Sequence, residues 1–442
     1  MNELPVVVIG AGPVGLAAAA ELVERGLEPL VLERGARAGA DVAEWNHVRL
    51  FSPWSELVAP AAGRLLEKTG WARTAGEAYP TGSEWAGRYL RPLAEALADR
   101  VRFGAEVSGV ARRGRDRVVD SGRDDEPFTV HVRSAGGSEE RIVARAVIDA
   151  SGTWSTPNPL GGEGLPAVGE HAAADRIVYR VPNLGDEAVR ARYTGKHVVV
   201  AGSGHSALTA LVALSGLAND TTRITWVLRR GAVGNTFGGG EADQLPARGA
   251  LGLRAKESVD SGRIRVVTGF RTEAVERDGD GPLSLISSAG QRIERVDEVV
   301  ALAGFRPDLT WLSEIRLGLD ATLQAPVALA PLIDPNVHSC GTVYPHGAKE
   351  LAHPEKDFYL AGMKSYGRAP TFLAMTGYEQ VRSIAAQLAG DHEAAARVEL
   401  RMTETGVCGG SGLFDEPAEA ATSSGCCATP QSEALTLSSP AR

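Results

Sequence analysis

The sequence predicts an α/β fold: two Rossmann-like dinucleotide-binding units in one chain, followed by a flexible C-terminal tail. Two glycine turns and a change of composition carry that prediction. The first turn, Gly10-Ala11-Gly12-Pro13-Val14-Gly15, follows an apolar run at residues 5–9 and opens an alanine-rich helical segment at 14–25. The second, Gly202-Ser203-Gly204-His205-Ser206-Ala207, follows an apolar run at 197–201 and opens a helical segment at 208–217. Past residue 400 the chain turns to Ser, Thr, Ala, Gly and Glu with little apolar periodicity, which reads as a tail outside the packed core.

A strand, a tight glycine turn and a helix start are what a dinucleotide pyrophosphate requires. Gly10 makes the turn, Gly12 lets the backbone approach the phosphates, and Gly15 lets helix and strand pack closely. The helix N-terminus is left aimed at the anion. Glu33, followed by Arg34, ends the next apolar run at residues 29–32. That is the expected interval of about twenty residues, where a carboxylate takes ribose hydroxyls.

The totals bound the rest. The chain has 442 residues, 43% of them apolar and 23% charged, enough for two domains with real cores. A net charge of −9 and the lack of a basic stripe with interleaved aromatics exclude a nucleic-acid surface. No apolar run reaches the roughly 20 residues that cross a bilayer, and no leader pattern precedes residue 5, so a cytoplasmic location is expected. The four cysteines, Cys340, Cys408, Cys426 and Cys427, do not make a disulfide framework for so long a chain.

After Arg34 an irregular stretch, residues 35–60, holds Trp45, Asn46, His47, Arg49, Phe51 and Trp54. A loop with such aromatics covers something. A helix is expected from about Ser83, its N-cap, through Tyr89, Leu93 and Leu97. Residues 101–110, 128–133 and 141–148 read as strands, and the charged interval 112–126 as a hairpin-like loop. Asp149-Ala150-Ser151-Gly152 ends a strand at a small turn, and the Pro- and Gly-rich stretch 154–166 reads as a connection between domains.

In the second unit, Arg229-Arg230 follows the strand at 224–228, where Glu33 stood in the first. A carboxylate repels a 2′-phosphate, whereas guanidinium groups hold one through charge-assisted hydrogen bonds. Residues Gly202, Ser203, Gly204, His205 and Ser206 with Arg229 and Arg230 are therefore assigned to NADPH rather than NADH. The alternative is two solvated arginines beside an NADH site. Strands follow at 264–267, 272–275 and 296–302, then a strand at 358–361 running into Gly362, and a helix at 374–388.

These features resemble the FAD- and NADPH-dependent flavoproteins of the monooxygenase and pyridine-nucleotide disulfide reductase type, over residues 4–389. The resemblance implies an FAD domain (1–160 and 306–400) split by an inserted NADPH domain (161–305), with the tail at 401–442. It places FAD on Gly10, Gly12, Pro13, Gly15, Glu33, Arg34 and Gly362, although Met363 replaces the usual aspartate after that last glycine. Two departures narrow the chemistry. No cysteine precedes Cys340, so the redox pair of the disulfide reductases is missing, and Val168-Gly169-Glu170-His171 does not keep the monooxygenase fingerprint. A narrower likeness lies in Cys340-Gly341-Thr342-Val343-Tyr344-Pro345-His346-Gly347, in residues 363–372, and in Glu404-Thr405-Gly406-Val407-Cys408 with Cys426-Cys427. Together they resemble the flavin-dependent monooxygenases of actinobacterial arsenic-resistance operons.

Adjacent cysteines, with Cα atoms about 3.8 Å apart, are too close for an unstrained bridge of about 4.4–6.8 Å. Soft thiolates favour thiophilic ions, and Cys408, Cys426 and Cys427 are candidates for a trithiolate As(III) site or for thiol exchange. The other reading is an incidental pair in a disordered tail. A flexible stretch from 400 to 427 reaches on the order of 30 Å, to the cleft of its own subunit or of a second copy in a homodimer. Lys364 is the candidate cation beside the flavin, against a plain surface lysine. Asn46 is the candidate hydrogen-bond donor to an oxygen adduct of the reduced flavin. The expected function is an enzyme in which NADPH reduces FAD and oxygen then oxidises a soft small molecule such as a trivalent arsenical. The alternatives are an NADPH-dependent thiol or metalloid reductase using the tail cysteines, and a metalloid-binding flavin-fold protein with little catalysis.

Overall fold

The computed structural model describes residues 4–74, 76–243, 245–337, 346–370 and 372–400. Apolar residues on both faces make a strand suited to the middle of a parallel sheet covered on both sides. β1 (Val6–Ile9) is such a strand, buried throughout, and β2 (Pro29–Glu33) and β3 (Val101–Phe103) extend the sheet from it. The chain then leaves for a three-stranded antiparallel sheet of β4 (Ala105–Arg112), β5 (Phe128–Ser134) and β6 (Glu139–Ala144), and returns as β7 (Ala146–Asp149).

The second unit contains β8 (Ile177–Val178), β9 (His197–Ala201), β10 (Arg223–Val227) and β11 (Ile264–Val267). A second antiparallel sheet, β12 (Thr272–Arg277), β13 (Leu283–Ser287) and β14 (Arg292–Val296), precedes the return strand β15 (Glu298–Ala301). β16 (Phe358–Leu360) finally rejoins the first sheet. The two parallel sheets have the orders β16-β7-β1-β2-β3 and β11-β10-β9-β15-β8. In each, the glycine turn follows a central strand whose neighbours diverge, the crevice where open α/β sheets bind ligands. The two crossovers between the units run side by side: Asn158 N donates to Gly304 O (2.9 Å) and Arg306 N to Thr156 O (3.0 Å).

Several expectations need correction. The strand expected at 101–110 is two strands, because Gly104, at φ +65°, reverses the chain between the parallel β3 and the antiparallel β4. The strand expected at 141–148 breaks at Arg145, where β6 ends and β7 enters the first sheet. The helix expected to start at Ser83 starts at Gly82, because Thr81 and Glu84 form a reciprocal capping box and Ser83 falls inside the first turn. The helix Ala374–Leu388 lies where the sequence placed it.

The interval 112–126 is, as expected, the hairpin-like loop joining the antiparallel β4 and β5, and it carries two buried charges. Arg112 and Arg123, 3% and 2% exposed, converge on one carboxylate, Glu355, itself 1% exposed. Arg112 Nε lies 2.8 Å from Glu355 Oε1, Arg123 Nη2 lies 2.7 Å from Oε2, and Arg316 N donates to Oε2 at 3.1 Å. A charge is buried only when paired and hydrogen-bonded, and this shared carboxylate ties the antiparallel sheet to the segment before β16.

Next to it, His353 is buried against Phe358, and burial pushes its ring down to about 4, against the opposing pull of the Gly318 backbone. A ring at about 4 in the fold and 6.5 in the unfolded chain binds fewer protons when folded. The stability it contributes is complete above pH 6.5 and is lost as the pH falls toward 4. The thermal midpoint is expected to drop across that window, and a His353→Leu variant to show a shallower drop in the same titration.

Candidate functional site

The first turn is built as a cradle. A Cβ at Gly10, at φ +99°, would lie 2.9 Å from Ala150 O, and one at Gly15 would lie 1.9 Å from Gly10 O, so both positions require glycine. At Gly12 a Cβ would meet nothing within 4 Å. The space left open stands at the N-terminus of the helix Pro13–Glu24, where backbone N–H groups and the helix dipole favour an anion. The residues present therefore fit a dinucleotide pyrophosphate.

Glu33, 8% exposed, accepts from Ala11 N through Oε2 and from Gly35 N through Oε1, both at 2.7 Å. A carboxylate has about four lone-pair sites, so two backbone bonds hold it in place and leave acceptors for a ribose. Arg34 is more open and pairs with Asp41 at 3.1 Å. Gly10, Glu33, Arg34, Ser151, Gly152 and Lys364 share the wall of one cleft.

Lys364 is not a surface lysine: it is 1% exposed. Its Nζ lies 2.7 Å from Asp149 Oδ2, donates to Ser151 Oγ at 3.1 Å, and stands 4.4 Å from the centre of the Trp311 ring. Asp149, at the end of β7, accepts from Ser151 N and Oγ through Oδ1. Gly362, at φ +69°, packs on the helix that follows the first cradle, where a Cβ would press on Val14 at 3.2 Å. Asn46 is exposed on its loop, with its carbonyl accepting from Ser83 N, and is not part of this cleft wall.

The second cradle repeats the first. A Cβ at Gly202, at φ +130°, would lie 2.2 Å from Leu302 O, whereas one at Gly204 would meet nothing within 4 Å. Ala207, at the third position, is fully buried. Trp226 Nε1 fixes the turn by donating to Gly202 O at 2.8 Å. Ser203 is half-buried and Ser206 exposed, flanking His205, the first residue of the helix His205–Ser215. Burial first, and then the Arg248 charge, push the His205 ring down to about 4 against the pull of Asp243, so it is neutral at physiological pH.

At the end of β10, Arg229 is exposed and donates to Gly162 O at 3.3 Å. Arg230 is half-buried, held below the usual guanidinium range by burial and then by the charge of Arg229. Two adjacent cations of this kind are the arrangement that a bound anion relieves. The aromatic loop of the first unit reaches this cradle, with the Phe51 ring 5.3 Å from that of His205 and edge-on to it.

Trp311 was not singled out from the sequence, and Asp149 was read only as a strand end. The signal for Asp149 was available: a carboxylate closing an apolar strand just before a small turn, at the carboxyl edge of a parallel sheet. The thiols Cys340, Cys408, Cys426 and Cys427 lie outside the described residues, as does the tail 401–442. Among the described residues, no helix is long and apolar enough to cross a membrane.

The profile of one family, described as pyridine nucleotide-disulphide oxidoreductase, matches residues 7–328. A ferredoxin–NADP reductase from Ignicoccus hospitalis is 25% identical over 317 residues, covering 71% of this chain and 81% of that protein. The indole-3-pyruvate monooxygenase YUCCA4 from Oryza sativa subsp. japonica is 28% identical over 235 residues, 50% of this chain and 47% of that one. Among solved structures, a bacillithiol disulfide reductase from Bacillus cereus aligns with a TM-score of 0.64 at 20% identity, over 88% of this chain and 99% of that one. A cadaverine monooxygenase from Erwinia amylovora, solved with FAD bound, aligns with a TM-score of 0.62 at 14% identity, over 91% and 98%. The solved structures share the fold. With its profile match over most of its length and two dinucleotide cradles in place, the chain belongs to the pyridine nucleotide-disulphide oxidoreductase family and is an FAD- and pyridine-nucleotide-dependent oxidoreductase.

Proposed function

We propose that the protein is an NADPH-dependent flavin monooxygenase acting on a soft, thiophilic small molecule such as a trivalent arsenical. The observation that carries this reading is the lack of a thiol where a disulfide reductase needs one: no cysteine precedes Cys340, and among the described residues the wall of the first cleft contains none. Bound FAD supplies a two-electron acceptor for hydride and a donor to oxygen. The chain's own residues do the rest. Gly12 and the helix N-terminus behind it receive the diphosphate, and Glu33 takes the ribose. Arg229 and Arg230 hold the 2′-phosphate of NADPH, while Asp149 holds the Lys364 side chain at the cleft wall. The electrons balance when two from NADPH and two from the substrate reduce one O2, one oxygen atom passing to arsenic and the other leaving as water.

The tail thiols Cys408, Cys426 and Cys427 would present the arsenical, since thiolates are the ligands such ions prefer. NADPH oxidation is expected to rise with trivalent arsenic in air and to be abolished under nitrogen. Turnover unchanged by removing oxygen would rule out an oxygenase. The adjacent Cys426 and Cys427 favour a second reading, an NADPH-dependent thiol or metalloid reductase. On that reading Cys426→Ser with Cys427→Ser ends turnover altogether, whereas for the oxygenase it raises the KM for the arsenical and leaves kcat in place.

The nucleotide preference has its own test. A hydrogen bond to a charged group contributes about 1.5–3 kcal/mol, so losing one raises KM about 10- to 100-fold. Arg229→Ala and Arg230→Ala are each expected to raise the KM for NADPH by that factor and to leave the KM for NADH unchanged in steady-state assays.

A further inference from the structure

We propose that Gln380 is a positioning residue for the first cradle, holding the turn Gly362–Tyr366 so that the Lys364 ammonium stands in the cleft wall to help hold the FAD anion. This rests on the reading of the first cradle as the FAD site.

Gln380 is fully buried on the helix Ala374–Leu388, and every polar atom of its amide is engaged. Oε1 accepts from Gly362 N at 2.8 Å, and Nε2 donates to Ser365 Oγ at 2.9 Å and to His346 Nε2 at 2.8 Å. Ser365 Oγ in turn donates to Gly362 O at 2.7 Å. One side chain thus ties down both ends of the segment that carries Lys364. Between those ties, Gly362 takes the left-handed backbone that packs on Val14.

The ammonium this turn delivers is fully specified. Ser151 Oγ donates to Asp149 Oδ1 at 2.6 Å, which leaves its lone pairs to accept from Lys364 Nζ at 3.1 Å, while a second Nζ proton faces Asp149 Oδ2 at 2.7 Å. The third proton is left on the side of the Trp311 ring and the cleft, both part of the same wall as Gly10 and Glu33. A buried ion pair is a poor source of stability compared with apolar residues of the same volume. An Asp–Lys pair set into a cofactor-cleft wall, with a glutamine anchoring its turn, is accounted for by what the cation holds.

The test is a double-mutant cycle on FAD affinity. Wild type, Lys364→Met, Gln380→Leu and the double variant are stripped of flavin and titrated with FAD, with thermal midpoints recorded alongside. Lys364→Met and Gln380→Leu are each expected to weaken FAD by about tenfold. The double variant is expected to bind no more than about threefold more weakly than the worse single, because both changes break one contact. Lys364→Arg, which keeps the charge, is expected to recover most of the affinity. If Gln380→Leu fails to fold, Gln380→Glu takes its place, since it keeps the acceptor for Gly362 N and loses the donor to Ser365. FAD affinity unchanged in Lys364→Met, or single effects that multiply in the double variant, would overturn the proposal. So would a Gln380 variant that lowers only the thermal midpoint. Wild-type chain that takes up no FAD would instead overturn the reading of the cradle on which the proposal rests.

Discussion

Gly12→Val is expected to strip the protein of FAD while leaving the fold in place. Gly12 sits at φ −81° and ψ −175°, backbone that any L residue adopts, and a Cβ there meets no protein atom within 4 Å. The exchange costs the free fold about 1 kcal/mol as a poorer N-cap. The isopropyl group instead fills the space in front of the helix N-terminus that a diphosphate requires. A loss of at least about 100-fold in FAD affinity, near 2.7 kcal/mol, is expected. The flavin absorbance of the purified protein and its far-ultraviolet circular dichroism read the two halves of this result together.

Gly204→Val is the matching change in the second cradle, at φ −86° and ψ 177° with the same open space. It is expected to keep FAD and to raise the KM for NADPH by a similar factor. Gly15→Ala behaves differently from both, because its Cβ would collide with Gly10 O and the fold itself would fail.

Glu355→Leu is expected to destabilise the fold by about 3–5 kcal/mol, the cost of leaving buried charges without a partner. Two guanidiniums, Arg112 and Arg123, lose their shared counter-ion at once, and leucine cannot accept from Arg316 N. By contrast, Glu24→Ala removes an exposed partner of Arg64 and is expected to cost no more than about 1 kcal/mol. Urea unfolding of the two variants checks the difference. Burial alone raises the Glu355 carboxyl pKa, but hydrogen bonds from Arg123, Arg112 and the Arg316 backbone outweigh it and hold the group below its ordinary 4.5. The stability it contributes is therefore present above the unfolded-state value and is lost as the pH falls through the folded one.

What the sequence made legible follows from the range over which each constraint acts. The glycine turns are local: Gly10, Gly15 and Gly202 are demanded by contacts with backbone, and Gly12 and Gly204 leave open space in front of a helix, so the pattern survives in a short string. Glu33 and Arg229-Arg230 were readable for the same reason, each closing a strand at a fixed distance from its turn. The sequence left open whether Lys364 was buried, because its partners Asp149 and Ser151 come from the end of β7 and the turn after it, more than two hundred residues away. The charged interval 112–126 was legible as a hairpin-like loop, but the burial of its arginines was not, for the same reason: the carboxylate that pairs with Arg112 lies 243 residues on. A sequence displays charges but not their counter-ions. The breaks at Gly104 and Arg145 are a third kind of case. There the apolar pattern runs on while the chain changes sheets, and only pairing reveals the corner.

If electrons pass from NADPH through FAD to oxygen without a thiol relay, cysteine-free protein retains the whole sequence of events. The chain carrying Cys340→Ser, Cys408→Ser, Cys426→Ser and Cys427→Ser is mixed with NADPH under nitrogen, then exposed to air, while the flavin absorbance is followed. Bleaching by NADPH and full recovery in air, both at wild-type rates, are the expected result. Flavin that NADPH no longer bleaches, or that stays reduced in air until a disulfide acceptor is supplied, would contradict the oxygenase account.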